Sequence, residues 1–331
     1  MCVNEIKLNT IYIKNNGCKV YLLDTFDNIN CEFDDVVIKT NRSLESLKII
    51  LSSDVKDCDE LDKMFLQLYN YIGILMGYFP KITFASNMNI DKLVKIYDTS
   101  DKYIIAQTSF IKKLDNSTFI KSFKKYIEIY NNVKFQINHY FYSICSLNDN
   151  YPEFPTVNIL QSLDGIYDLL TTFKSNLNII DDKTKIEEVK NRINSIDFAD
   201  VLNEDEVEKV KIAIRNSILR LEKITCETKL KNIFDFINGK YKLFELECTN
   251  NCYDSFISKC KHTRNKFSHS NNQNNSFNGE ECVFYLYKLS LVFRLLIVEE
   301  VNLPENIDCD LLNYEIKIID DRLKEVLNIE K

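Results

Sequence analysis

Tryptophan is absent from this 331-residue chain, and glycine (6) and proline (4) are scarce. Few obligatory turns can be built from so little of either, so long helices are expected rather than a turn-rich β fold. Histidine occurs three times, which narrows any imidazole chemistry to His139, His262 and His269. Positive charge is in deficit, with 42 Lys and Arg against 49 Asp and Glu and a net charge of -7. That balance argues against a broad nucleic-acid surface, which makes a domain basic. It leaves room for a small phosphate site, because a few cations act within a Debye length.

A clean membrane-spanning run is also missing. The most apolar stretch, "CVFYLYKLSLVFRLLIVEEV" (282–301), is interrupted by Lys288 and Arg294, each costing about 2.5–3.5 kcal/mol at a bilayer centre. A helix buried in protein on most sides is the expectation, with no membrane partner. The start, "MCVNEIKLNT", is polar and carries no secretory pattern, and the 11 cysteines are odd in number and scattered. Reduced thiols and a cytoplasmic location are expected.

What is present is a folded composition, 45% apolar and 27% charged, with room for two domains. The segments "EIKLNTIYIKN", "CKVYLLDTF", "DDVVIKT", "KITFAS" and "KYIIAQTSFI" are short and rich in β-branched and aromatic residues, and they read as strands. Between them, 60–79 reads as a helix on a sheet. From about 116 the period becomes helical, with Phe119, Phe123, Tyr126, Tyr130, Val133 and Ile137 on one face. The two prolines of "NDNYPEFPT" (148–156) mark the clearest break. The expected organisation is an α+β N-terminal domain over 1–147, followed by an all-α helical bundle over 148–331. Helices are expected over 157–173, 206–224 and a segment ending at Gly239 as C-cap, then 253–268 and 281–300, with one short solvated helix in the polar stretch between the first two.

Basic residues cluster where one helix ends. In "RNKFSH", Arg264 and His269 are five residues apart, about 140° around a regular helix, so they converge only if the last turn loosens. A helix C-terminus favours a protonated imidazole. An imidazole can carry the proton in attack on phosphorus, and a guanidinium binds phosphate oxygens and stabilises developing charge. Asn265 adds a neutral donor, Ser268 a hydroxyl and Lys266 a second cation. These are the needs of RNA cleavage by the 2′-OH, and no acidic cluster suited to a magnesium ion lies near them.

The string "TRNKFSHS" resembles the R-N-x-x-x-H form of the HEPN ribonuclease motif, here Arg264, Asn265 and His269. Its setting, a helix, a polar loop and a long apolar helix, is similar too. Upstream, "VNILQSLDGIYDLL" resembles the first helix of the HEPN domain in ApeA-like abortive-infection proteins, with Gln161, Leu163 and Asp164 at the Gln-x-Leu-acid positions. The family usually has Glu at 164, and Gly165 follows mid-helix here. The likeness covers about residues 150–305.

The resemblance implies an HEPN-like bundle and a metal-independent endoribonuclease with no cofactor. Two chains would pair through their helical domains around one composite cleft and leave 2′,3′-cyclic phosphate and 5′-OH ends. It further implies His269 as acid or base, Arg264 on the phosphate and Asn265 as orienting group, with Asp164, Ser268 and Lys266 in support. RNA would be the substrate and a phage-derived trigger would act through the N-terminal domain.

Other readings compete. A non-catalytic dimerisation or partner-binding module coupled to an N-terminal sensor would use the same helices. Cys248, Cys252, Cys260 and His262 could bind zinc, although Cys260 falls on an inward face. His262 reads as a surface residue and His139, flanked by aromatics, as a satisfied core histidine.

Overall fold

Strict alternation of buried and partly exposed residues in "SLKIILSS" (46–53) is the period of a sheet with one face on a core. The computed structural model describes residues 2–9, 11–13, 19–21, 24–26, 28–43, 46–77, 82–86, 110–145, 152–176, 183–196, 203–221, 224–269 and 275–329. Its N-terminal strands are β1 (Cys2–Asn9), β2 (Ile11–Ile13), β3 (Lys19–Tyr21), β4 (Asn30–Phe33), β5 (Val36–Arg42), β6 (Ser46–Ser53) and β7 (Ile82–Ser86). Five form a sheet of order β4-β5-β6-β1-β7, and β2 pairs with β3 separately. Every pairing is antiparallel. Asp34 and Asp35 make the two-residue turn between β4 and β5, both at positive φ (50° and 61°), which is the backbone a tight hairpin requires.

Helix α1 (Cys58–Met76) opens on a reciprocal capping box between Asp57 and Glu60, which satisfies two otherwise orphaned backbone donors. Its Leu61, Phe65, Leu68 and Ile72 are buried, and the helix packs on β1 and β6. The remaining helices are α2 (Asn116–Cys145), α3 (Glu153–Tyr167), α4 (Lys183–Asn194), α5 (Glu204–Leu221), α6 (Cys226–Tyr241), α7 (Glu245–Thr249), α8 (Tyr253–His269), α9 (Gly279–Glu300) and α10 (Cys309–Val326). The chain is thus an α+β region followed by a helical region. Helix α2 packs on α1 and β4 on one side and on α3 and α9 on the other.

Helix α9 runs through the middle of the helical region with nearly all of its residues buried. Its two cations are buried as well, and both are paired. Lys288 donates to Glu247 of α7 at 2.8 and 2.7 Å and to Asp320 of α10 at 2.7 Å. Burial raises the carboxyl pKa of Glu247 and of Asp320, while the Lys288 charge opposes that rise. Arg294 reaches across to α1, where it donates from Nε to the Ile74 carbonyl (3.0 Å) and from Nη2 to the Leu75 carbonyl (3.2 Å). Its guanidinium lies 4.2 Å from the centre of the Phe110 ring and 3.5 Å from the Glu315 carboxylate.

Gly77 ends α1 in the left-handed region at φ 80°. A Cβ there would stand 2.5 Å from the Arg294 guanidinium, so both backbone and space demand glycine. A second tie joins the two parts of the chain. Ile111 bridges Ile307, and the Asp308 amide donates to the Phe110 carbonyl at 2.7 Å.

Several expectations need correction. Strands β4 and β6 were not anticipated, because "NCEF" is short and "SLKIILSS" follows β5 without glycine or proline to separate them. Gly239 lies inside α6, and the left-handed cap is Lys242 at φ 55°. Cys58 is disulfide-bonded, whereas Cys31, Cys226, Cys248, Cys252, Cys260, Cys282 and Cys309 are free. The strand expected over 102–111 lies outside the described residues except at Phe110 and Ile111. Among the described residues no helix is long and apolar enough to cross a membrane.

Replacing Arg294 by Met removes the donors for two buried carbonyls and the partner of Glu315. The Arg294→Met protein is expected to lose about 3–5 kcal/mol of unfolding free energy, read as a lower urea midpoint. An unchanged midpoint would show that this buried ion does not hold the two parts together.

Candidate functional site

The motif stands at the C-terminal end of α8. Phe256, Ile257, Cys260 and Thr263 are buried, at spacings that set one helix face against the bundle. Arg264 follows immediately and sits half-buried at the edge of that face. Its Nη2 reaches Asp164 Oδ2 of α3 at 3.0 Å, and its Nη1 donates to Asn265 Oδ1 at 3.1 Å. Asp164 and Asn265, both predicted near the site, therefore meet Arg264 directly. Asp164 and Arg264 are 100 residues apart in sequence.

Lys229 of α6 adds a second cation on Asp164, at 3.8 Å, and is hydrogen-bonded to Asp168 one turn further along the chain. Sequence reasoning passed over both Lys229 and Asp168. The four-residue spacing of Asp164 and Asp168 was a signal for a shared helical edge, but nothing in sequence ties Lys229 to it. Helix α3 is also joined to α6 where Asn232 Nδ2 donates to the Tyr167 hydroxyl at 2.8 Å.

Cys226, at the start of α6, lies within the field of this cluster. Burial pushes its thiol up to about 12; the Asp164 charge raises it further, and Arg264, Lys229 and Lys261 oppose. Such a thiol stays protonated near neutrality and is no nucleophile.

Gly165 has a local reason. A Cβ at that position would come within 2.8 Å of Gln136 Nε2, so the glycine lets the α2 side chain lie across α3 beside Asp164. The backbone of α8 remains helical through His269, so the loosening that convergence within one chain would need does not occur. Positions 264 and 269 accordingly stand about 140° apart around the axis. The side chains of Ser268 and His269 lie outside the described residues, as does the segment 270–274.

The chain is back against α8 by Asn275, which donates to Ser258 at 3.2 Å, and the Phe277 amide donates to the buried Thr263 hydroxyl at 2.9 Å. Asn278 then caps α9 through a capping box with Glu281. Lys266 is partly exposed.

Several cations around the motif are engaged by acids. Lys261 pairs with Glu227 at 2.7 Å, Lys259 with Glu281 at 2.6 Å and Lys231 with Asp254 at 3.1 Å. The local richness in basic residues noted in sequence is therefore not a patch of unopposed charge.

The zinc alternative finds no support, since no group of three or more potential metal ligands occurs among the described residues and Cys260 is fully buried. His139 departs from its expected role. It is half-buried on α2, its ring lies 4.1 Å from that of Phe135, and its Nδ1 is buried without a hydrogen-bond partner.

Residues 157–307 match the family model described as Apea-like HEPN. No curated protein and no solved structure matches the chain. The match contains Asp164, Lys229, Arg264, Asn265 and His269 together, from within α3 to just before α10. Over this segment the chain is similar to the Apea-like HEPN family.

Proposed function

We propose that the chain is a metal-independent HEPN endoribonuclease acting in anti-phage abortive infection. The observation that carries the reading is the family match across 157–307, with Arg264 oriented inside it by Asp164 and Asn265. A guanidinium held on two sides keeps its planar fork in one direction, which suits phosphate oxygens.

In the proposed reaction the ribose 2′-oxygen attacks the adjacent phosphorus while its proton passes to an imidazole. The P–O5′ bond breaks and the leaving oxygen takes a proton, leaving a 2′,3′-cyclic phosphate and a 5′-OH. His269 supplies the imidazole and Arg264 stabilises the charge that grows on the non-bridging oxygens. Asn265 and Asp164 act through Arg264, and Ser268 and Lys266 lie beside it in sequence.

The unbroken helix through His269 favours a shared site. With the two positions about 140° apart, a homodimer through the helical domain would set the arginine of one copy against the histidine of the other. The ion pairs around the motif favour restraint. A phosphate must compete with Asp164 for Arg264, so low basal activity is expected until a phage-derived trigger acts through the N-terminal domain in the cytoplasm.

Purified protein incubated with cellular RNA in excess EDTA, with extract of phage-infected cells as a source of trigger, is expected to yield 2′,3′-cyclic ends. His269→Ala should lower the rate about 10²–10⁴-fold and Arg264→Ala about 10²–10³-fold. Cleavage that survives both changes would sink the assignment of the site, and silence with trigger present would favour the binding-module alternative.

Asp164→Asn keeps the shape of the side chain but weakens its hold on Arg264. A fall in kcat of about tenfold or more, with KM little changed, is expected from misorientation, and Asp164→Glu should recover most of it. Equal turnover in Asp164→Asn would show that the acid has no positioning role.

A further inference from the structure

A run of exposed lysines lies two interhelical steps away from the motif, on α2. That helix carries Lys121, Lys124, Lys125 and Lys134 against a single acid, Glu128, in a chain of net charge -7. Lys125 is paired with Glu128. Lys121, Lys124 and Lys134 are exposed and form no ion pair among the described residues. The contrast with Lys229, Lys231, Lys259, Lys261 and Arg264, all paired with carboxylates, is sharp.

Two of these lysines share a face with aromatic rings. Lys121, Lys124, Phe135, His139 and Tyr142 fall within about 60° around the axis, a sector that also holds Glu128, whose carboxylate is engaged by Lys125. Phe135 is 67% exposed and Tyr142 49%, unusual for rings of that size on a helix whose opposite face is filled with buried aromatics. The His139 ring lies against Phe135 at 4.1 Å, which holds the exposed ring in place. Burial lowers the pKa of His139, so this support is a neutral ring near pH 7.

The stripe borders the candidate site. Gln136, next to Phe135, lies over Gly165 of α3, and the neighbouring Asp164 holds Arg264 of α8. Phe154, Asn158, Gln161 and Asp164 of α3 are partly or fully exposed, at the three- and four-residue spacings of one outward edge. Two interhelical steps, about 16–20 Å in all, lead from the aromatic stripe across that edge to the arginine.

We infer that the outer face of α2 is a docking platform for single-stranded RNA, with phosphates on Lys121 and Lys124 and bases stacked on Phe135 and Tyr142. Cations that follow a backbone and exposed rings that accept any base are the two elements of single-strand binding. A duplex, with its bases stacked inside, cannot use the rings. The platform adds attraction for RNA to a motif whose arginine is already paired with an acid. This inference rests on the RNA-cleaving reading above and narrows its substrate to unpaired strands.

The test uses the full-length His269→Ala protein in EDTA with a fluorescein-labelled single-stranded RNA 20-mer, followed by anisotropy at several salt concentrations. Phe135→Ala and Tyr142→Ala are each expected to weaken binding on the order of tenfold. Lys121→Gln with Lys124→Gln should reduce the slope of log affinity against log salt by about 1.4. A duplex of the same sequence should show no dependence on the two rings. Both aromatic side chains are exposed, so folding is not at stake.

Undiminished RNA affinity in these variants, or no RNA binding by the folded protein, would overturn the inference. So would unchanged affinity accompanied by a dimer becoming a monomer in sedimentation, since a second copy would then cover the stripe. Parallel cleavage assays in the wild-type background separate the two claims. Cleavage indifferent to Phe135 and Tyr142 keeps the nuclease and discards the platform, whereas ring-dependent binding without cleavage, trigger present, does the reverse.

Discussion

A buried guanidinium must find acceptors for its donors, and Arg294 finds them at the end of another part of the chain. The last carbonyls of α1 have no partner within their own helix, and Arg294 donates to two of them. Gly77 is the condition for that approach, since any side chain would occupy the place of the guanidinium. The sheet region and the helical bundle are therefore joined by a cation that caps a helix from outside. Removing one partner from such an arrangement leaves the others buried and unsatisfied, which makes the junction hard to alter piecemeal.

The same helix explains how the motif is carried. Helix α9 holds Lys288 between Glu247 and Asp320, and the turn leading into it is bonded to α8 through Thr263 and Lys259. The end of α8 is thus anchored on a rigid central element within one turn of Arg264. Asp164 approaches from α3 and Lys229 from α6, so three helices meet at the arginine. Precise placement of a side chain is easier on such a junction than on a loop.

Charge is distributed in a way that net composition hides. Acids neutralise several cations next to the motif, whereas α2 keeps lysines in the open beside exposed rings. A chain of net charge -7 can attract a polyanion if its positive groups share one face, because fields beyond about 10 Å are screened. An acidic background also discourages indiscriminate binding of nucleic acid.

Sequence alone determined the buried stripe of α2, the extent of α8 and the string from Arg264 to His269. These follow from periodicity and from short-range spacing, which a linear reading sees directly. It also marked Lys288 and Arg294 as too costly for a membrane, yet their partners could not be named. Asp164, Lys229 and Arg264 come from three separate helices, Gly165 is explained by a side chain on a fourth, and Arg294 by carbonyls more than two hundred residues away. Such meetings depend on which helix faces pack together, and many registers share the same pattern of apolar residues. Only the tertiary structure decided which acid met which base, because pairing across the bundle is set by packing and not by spacing along the chain.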